Sequence, residues 1–333
     1  MEKKDYGDKK TELLVKVARM YYEDSMSQEE IASEIACSRP YVSRLLTDAK
    51  EMGIVQFKVV PPKGYELEME RRLREKGSLE KVIIVPKKSN LPKLTAVAKA
   101  AAEYLESVVE NGDIIGYSWG NTVYSVSNFL SQKEDLSDVT VVQLCGGVSN
   151  LQNNIYSTEI AKNFAKAWDA KPYAMMCPAM VDSKEIKDVF VSDSNVKKVL
   201  EYGDEANTLL ITMGAYGVQN AVCRAGYLKE EEMQELIVKG AVGDICDHLI
   251  NDRGELCDEA LDERTVSVPL AELKKKKRRI GVASGQSKVE CICGAIRGKI
   301  INVLITDEDT AGKVIERLEK PLTWWNPCAN IKA

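Results

Sequence analysis

Residues 27–46, SQEEIASEIACSRPYVSRLL, constrain the fold of the N-terminal part of this chain more than any other segment. The run predicts two short helices joined by a tight turn. Ser27 stands at a helix N-cap and Gln28 opens the helix. Glu30, three residues after Ser27, completes a capping box in which side chains and backbone exchange hydrogen bonds. Ile31, Ala32 and Ile35 then recur on one helical face. After a break at Ala36 and Cys37, Ser38 is a second N-cap. Pro40 falls in the first turn that follows, where a missing N–H is tolerated. Val42, Leu45 and Leu46 give the second helix a buried face and leave Arg39, Tyr41, Ser43 and Arg44 pointing outward. This is the pattern of a helix-turn-helix, whose second helix meets base edges and phosphates in the major groove through its N-terminal half. The expected DNA-contacting residues are therefore Ser27, Gln28, Ser38, Arg39, Pro40, Tyr41, Ser43 and Arg44. The turn position usually given to glycine is Ala36, and a left-handed alanine costs about 1 kcal/mol.

The neighbouring segments fit. Upstream, Leu13, Leu14, Val17, Ala18 and Tyr21 lie at helical spacing and supply a supporting helix. Downstream, the residues after Gly53 alternate like a short strand, the place of a wing, and Pro61–Pro62–Lys63–Gly64 ends it.

Charge does not make this chain a general polyanion binder. The net charge is −5, and residues 1–60 hold ten Lys or Arg against eleven Asp or Glu. DNA affinity would rest on local geometry, with Arg39, Arg44 and Lys50 outnumbering Asp48, and on an oligomer that pools contacts over repeated half-sites. The nine cysteines show no zinc spacing and there is one histidine, His248, so no metal is expected. No signal peptide or membrane-spanning run is evident, and reduced core cysteines in a cytoplasmic protein are the expectation.

Beyond residue 65 a charged helix at about 65–76 is the candidate coupling element. Strand candidates then alternate with amphipathic helices: 82–86, 113–118, 139–144, 173–177, 208–214, 265–270, 279–284 and 301–306. This pattern predicts an α/β domain with a doubly wound, mainly parallel sheet covered on both faces. The expected organisation is a helix-turn-helix domain at 1–60, a linker and coupling helix at 61–80, an α/β domain at 81–320 and a tail at 321–333. KKKKRR at 274–279 reads as a solvated loop, and the tail carries Trp324 and Trp325.

Ligands of open α/β sheets sit beyond the C-terminal ends of the strands. Four post-strand loops there are rich in small and hydroxyl residues: GYSWGNT at 116–122, CGGVSN at 145–150, MGAYG at 213–217 and ASGQSK at 283–288. Backbone N–H groups, Ser118, Thr122 and Lys288 suit a phosphate, and Asp244 suits sugar hydroxyls, with a helix-surface acid as its alternative. Neither GxGxxG nor GxxxxGK[ST] occurs, and no cofactor is expected.

With these motifs in place, the chain resembles the SorC family of bacterial sugar-binding transcriptional regulators over nearly its whole length. The resemblance is carried by residues 13–55, GYSWGNT, QLCGG, GYL with GAVGDI, and GVASGQSKVECICGAIRGKIINVLITDEDTA. It implies a winged helix-turn-helix followed by an effector domain similar to glucosamine-6-phosphate deaminase and ribose-5-phosphate isomerase. It also implies a tetramer that represses, or sometimes activates, an operon for sugar uptake and catabolism, with a phosphorylated sugar or related metabolite as inducer. The implied effector-binding residues are Ser118, Trp119, Gly120, Asn121, Thr122, Gly146, Gly147, Gly214, Asp244 and Lys288. The alternative is a sugar-phosphate isomerase or deaminase with an added N-terminal domain, for which Asp244, Asp307 and His248 are the acid/base candidates.

Overall fold

The computed structural model describes residues 8–55, 57, 66–147, 157–215, 217 and 220–320. The chain forms two compact units, 1–65 and 66–333. In the smaller, α1 (Asp8–Tyr22), α2 (Gln28–Glu34) and α3 (Arg39–Glu51) close around one apolar core. Leu14, Val17, Ile31 and Val42 are fully buried there, as helical spacing demands. The capping box forms as read: the Ser27 amide donates to Glu30 at 2.7 Å and the Glu30 amide to Ser27 Oγ at 3.3 Å. Ala36 has φ of 52°, so the turn does take a left-handed alanine. Ile54 and Val55 pack against this core. The wing strand expected beyond them lies, apart from Phe57, outside the described residues, as do Val148–Asn150 and the tail.

The larger unit is built on β1 (Lys81–Val85), β2 (Ile114–Tyr117), β3 (Thr140–Gln143), β4 (Lys171–Tyr173), β5 (Thr208–Thr212), β8 (Arg278–Val282) and β9 (Val303–Asp307). They form one parallel sheet in the order β1-β9-β8-β5-β2-β3-β4. Two-residue alternation splits the sheet's side chains between two cores. Ile115, Leu210, Ile280 and Ile305 enter one with α5 (Lys93–Val108), α6 (Asn121–Ser127) and α7 (Ser157–Trp168). Leu144, Leu209, Ile211 and Leu304 enter the other. There they meet α4 (Glu68–Gly77), α9 (Ser194–Glu205, preceded by α8, Lys184–Ser192), α14 (Val289–Arg297) and α15 (Glu308–Glu319). Short helices α10 (Ala221–Arg224), α11 (Glu230–Val238), α12 (Glu259–Asp262) and α13 (Leu270–Leu273) complete the unit. The doubly wound sheet is the expected one.

Four readings need correction. The stretch around Asp244, for which a helix surface was the alternative reading, forms an antiparallel hairpin of β6 (Ala241–Ile245) and β7 (His248–Asn251). Its two turn residues, Cys246 and Asp247, have φ of 49° and 66°, the left-handed pair a tight hairpin turn requires. All five β6 residues are buried, so no two-residue alternation marked the strand. Residues 265–270 form no strand of the main sheet. Val266 and Val268 instead give their amides to the Ala179 and Leu144 carbonyls, spanning two loops. Of 173–177 only Tyr173 is in a strand, and Met176 is 86% exposed. The basic run is not simply solvated: Lys276 is buried and bonds the Asp204 carbonyl, while Arg278 and Arg279 begin β8. The helix read as a coupling element is α4, which packs on β1 and α15 within the larger unit, with Leu73 fully buried.

Candidate functional site

From β2 the chain winds outward to β3 and β4, whereas from β5 it winds the other way to β8 and β9. The crevice beyond adjacent β2 and β5 is therefore the switch point where such sheets bind ligands. A cleft of about 170 Å³ opens there. It is walled by Ser118–Thr122 after β2, Thr212–Ala215 after β5, Cys145 after β3, the β6–β7 turn, one edge of α10 and Lys288.

The loop after β2 is held from both sides. Ser118 donates its amide to Leu210 at 3.2 Å, and its hydroxyl accepts the Thr212 amide at 3.1 Å. Gly120, with φ of 126°, turns the chain into α6 and, as its N-cap, offers no side chain to the first-turn amides. Trp119, nearly buried, donates its indole N–H to Asp247 Oδ2 at 3.2 Å.

Asp244 sits at the floor, 8% exposed, in β6 rather than on a helix surface. Its Oδ1 accepts Asn220 Nδ2 at 2.8 Å, and its carbonyl accepts the Gly214 amide at 2.8 Å. A Cβ on residue 214 would fall 1.6 Å from Asp244 Oδ1, so glycine is required by contact with the carboxyl. Burial raises Asp244 above the ordinary carboxylate range, opposed by the Asn220 hydrogen bond and the Lys288 charge. Burial, reinforced by the nearby Asp244, pushes Asp247 up to about 7. Lys288 is half-buried, and its ammonium makes no hydrogen bond among the described residues. The cleft thus sets carboxyls on its floor against a cation and uncapped amides, a lining suited to a small polyhydroxylated anion. Among the described residues no cluster of His, Cys, Asp and Glu could hold a metal ion.

In the smaller unit α3 buries Val42, Leu45, Leu46 and Ala49 and exposes Arg39, Tyr41, Ser43, Arg44 and Thr47. Arg39 pairs with Glu29 at 2.8 Å, both about two-thirds exposed, an ion pair worth little in water. Lys50 lies over the Tyr22 and Phe57 rings.

Residues 63–316 match the family model described as a sugar-binding domain. The deoxyribonucleoside regulator of Bacillus subtilis (strain 168) is 38% identical over 311 residues, 93% of this chain and 99% of that protein. The sorbitol operon regulator of Klebsiella pneumoniae is 30% identical over 302 residues, 90% of this chain and 96% of that protein. The crystal structure of full-length SorC from Klebsiella pneumoniae aligns with a TM-score of 0.78 at 29% identity, covering 93% of this chain and all of that one.

The chain belongs to the SorC family of sugar-binding transcriptional regulators. Like its relatives it is a regulator, not an enzyme. Two of the acid/base candidates are also committed elsewhere. His248 lies between Asp262 Oδ1 at 2.5 Å and the Val268 carbonyl at 2.9 Å. Asp307 caps α15 and bonds Ser284 and Thr310.

Of the effector residues named for this SorC-family chain, Ser118, Trp119, Gly120, Asn121, Thr122, Gly214, Asp244 and Lys288 line the cleft. Gly146 and Gly147 do not. Their amides are spent on the Val266 and Cys177 carbonyls, each at 2.8 Å, and a Cβ on Gly146 would strike the Pro178 backbone at 2.3 Å. These amides tie the loop after β3 to its neighbouring segments. Sequence reasoning missed Cys145, Thr212, Arg224, Cys246 and Asp247 in the lining. Asp247 had a signal, a second acid three residues after Asp244, but the helical reading hid that a turn places it beside the cleft.

Proposed function

We propose that the cleft binds a phosphorylated sugar or related polyol and that its occupancy controls operator binding by α3. In this reading Lys288, Ser118, Asn121, Thr122 and the Gly120 turn hold the phosphate, Trp119 and Gly214 shape the wall, and Asp244 takes hydroxyls. Arg39, Tyr41, Ser43 and Arg44 meet the major groove. Ser27, Gln28, Ser38 and Pro40 set and abut the two helix starts that face the DNA backbone. The protein acts in the cytoplasm as a homotetramer that represses an operon for carbohydrate uptake or catabolism, and the effector relieves that repression. The observation that carries this reading is the half-buried Lys288 placed across one small cleft from the buried Asp244. A ligand shifts the regulator only by preferring one of its conformational states.

The test is a thermal-shift screen of the full chain against phosphorylated sugars, followed by operator binding with and without each hit. At a hundred times its dissociation constant an effector stabilises the folded state by about 2.7 kcal/mol. The expected hit carries a phosphate, loses its effect in Lys288→Ala, and releases the operator. A hit that stabilises Lys288→Ala equally would overturn the phosphate assignment.

A further inference from the structure

Two buried carboxyls share the floor of the cleft, and each is tied to the protein by a side-chain donor. Asp244 takes Asn220 Nδ2 on Oδ1, and Asp247 takes the Trp119 indole on Oδ2. Asp247 is 3% exposed yet lines the cleft. Asp244 also accepts the Asp247 amide, and Asp247 the Cys145 thiol. An ionised carboxylate has about four lone-pair positions, so each group keeps room for a further donor. The two residues stand at the end of β6 and in its turn, near enough that the charge of Asp244 acts on Asp247.

We infer that Asp247 is a specificity-determining residue of the effector site, pairing with Asp244 to bind two adjacent hydroxyls, and that Trp119 positions it. This inference rests on the proposed effector site and narrows its ligand to compounds with a vicinal diol. Adjacent hydroxyls supply two neighbouring donors, matching two carboxyls that line one small cleft. A hydroxyl also accepts, so a carboxyl that titrates near neutrality pairs with it in either protonation state. The Trp119 bond spans the loop after β2 and the β6–β7 turn, and so holds the carboxyl in register with the opposite wall. A ligand lacking one hydroxyl would leave one carboxyl without its donor from the ligand, and sites that hydrogen-bond a substrate hydroxyl discriminate most strongly against analogues lacking it.

Titration calorimetry on the full chain tests this with matched probes. These are ribose 5-phosphate and 2-deoxyribose 5-phosphate, whose furanose rings differ by the 2,3-diol, and the same two sugars without phosphate. The expected result is that a parent sugar binds at least about tenfold tighter than its deoxy partner. In Asp247→Ala and the isosteric Asp247→Asn that ratio falls below about twofold, through loss of parent affinity rather than gain by the deoxy sugar. Trp119→Phe lowers the same ratio part-way, which a purely structural loss would not do because it weakens both partners alike. Equal binding of parent and deoxy sugars, or a ratio that survives in both Asp247 variants, overturns the inference. A preference that persists while phosphate adds nothing supports the diol site and defeats the phosphate reading instead. No binding by any of these compounds defeats both.

Discussion

The two surfaces proposed to carry this regulator's function are built on opposite plans. On α3 the exposed residues ride on one continuous helix, and Val42, Leu45 and Leu46 hold that helix from its far side. In the cleft the working groups come from five separate loops and turns, and several are themselves buried parts of the fold. Function and stability are therefore separable on α3 and fused in the cleft, and substitutions should sort accordingly.

The largest effect is expected from Leu45→Ala. Removing a side chain that is 1% exposed should destabilise the smaller unit by about 2–5 kcal/mol, read by denaturant titration. Operator binding should be lost while sugar binding persists. Loss of both would break the contrast between the two surfaces.

Next is a pH dependence in the cleft. Burial lifts Asp247 from its ordinary 3.8 to about 7, so between roughly pH 4 and 7 the folded chain keeps a proton that the unfolded chain gives up. Stability contributed by that proton is present in acid and falls as pH rises through the window, by up to about 4 kcal/mol. Thermal melts across that range should show the decline in the native chain and a flatter profile in Asp247→Asn. Parallel profiles would show that the carboxyl titrates normally.

A smaller gain is expected from Ala36→Gly. Relief of the left-handed alanine should stabilise the smaller unit by about 1 kcal/mol, an increase in melting temperature of that unit. No gain would mean that the alanine methyl packs well enough to offset its strain.

The smallest stability effect, within about 0.5 kcal/mol, belongs to Arg44→Ala, an exposed change away from any cap or core. Its signature is instead weaker operator binding with a salt slope shallower by about 1, the mark of one lost phosphate contact. An unchanged slope with relaxed base preference would assign Arg44 to base edges.

How far each surface was legible follows from the same contrast. The helix-turn-helix was readable because its signals are local: Ser27 and Glu30 three residues apart, Pro40 after Ser38, apolar residues at helical spacing. The alternation of strands and helices was equally local, and so the sheet and its winding were foreseen. The hairpin at 241–251 was not. Its strand is buried on both faces and its turn uses Cys246 and Asp247 instead of a glycine, so nothing in the spelling separates it from a buried helix. Gly146 and Gly147 lie outside the cleft lining for the converse reason: they look like an anion loop, but chain segments far away in sequence bond their amides.

The amino-acid sequence by itself determined the helices, most strands, the two-unit organisation of apolar patterning and the face of α3 left outside, because capping and periodicity act within a few residues. Only the tertiary structure decided that β2 and β5 lie side by side and that Asp244, Asp247, Trp119 and Lys288 meet between them. Strand order is set by which long-range packing buries both faces of the sheet, and no interaction within a single segment encodes it.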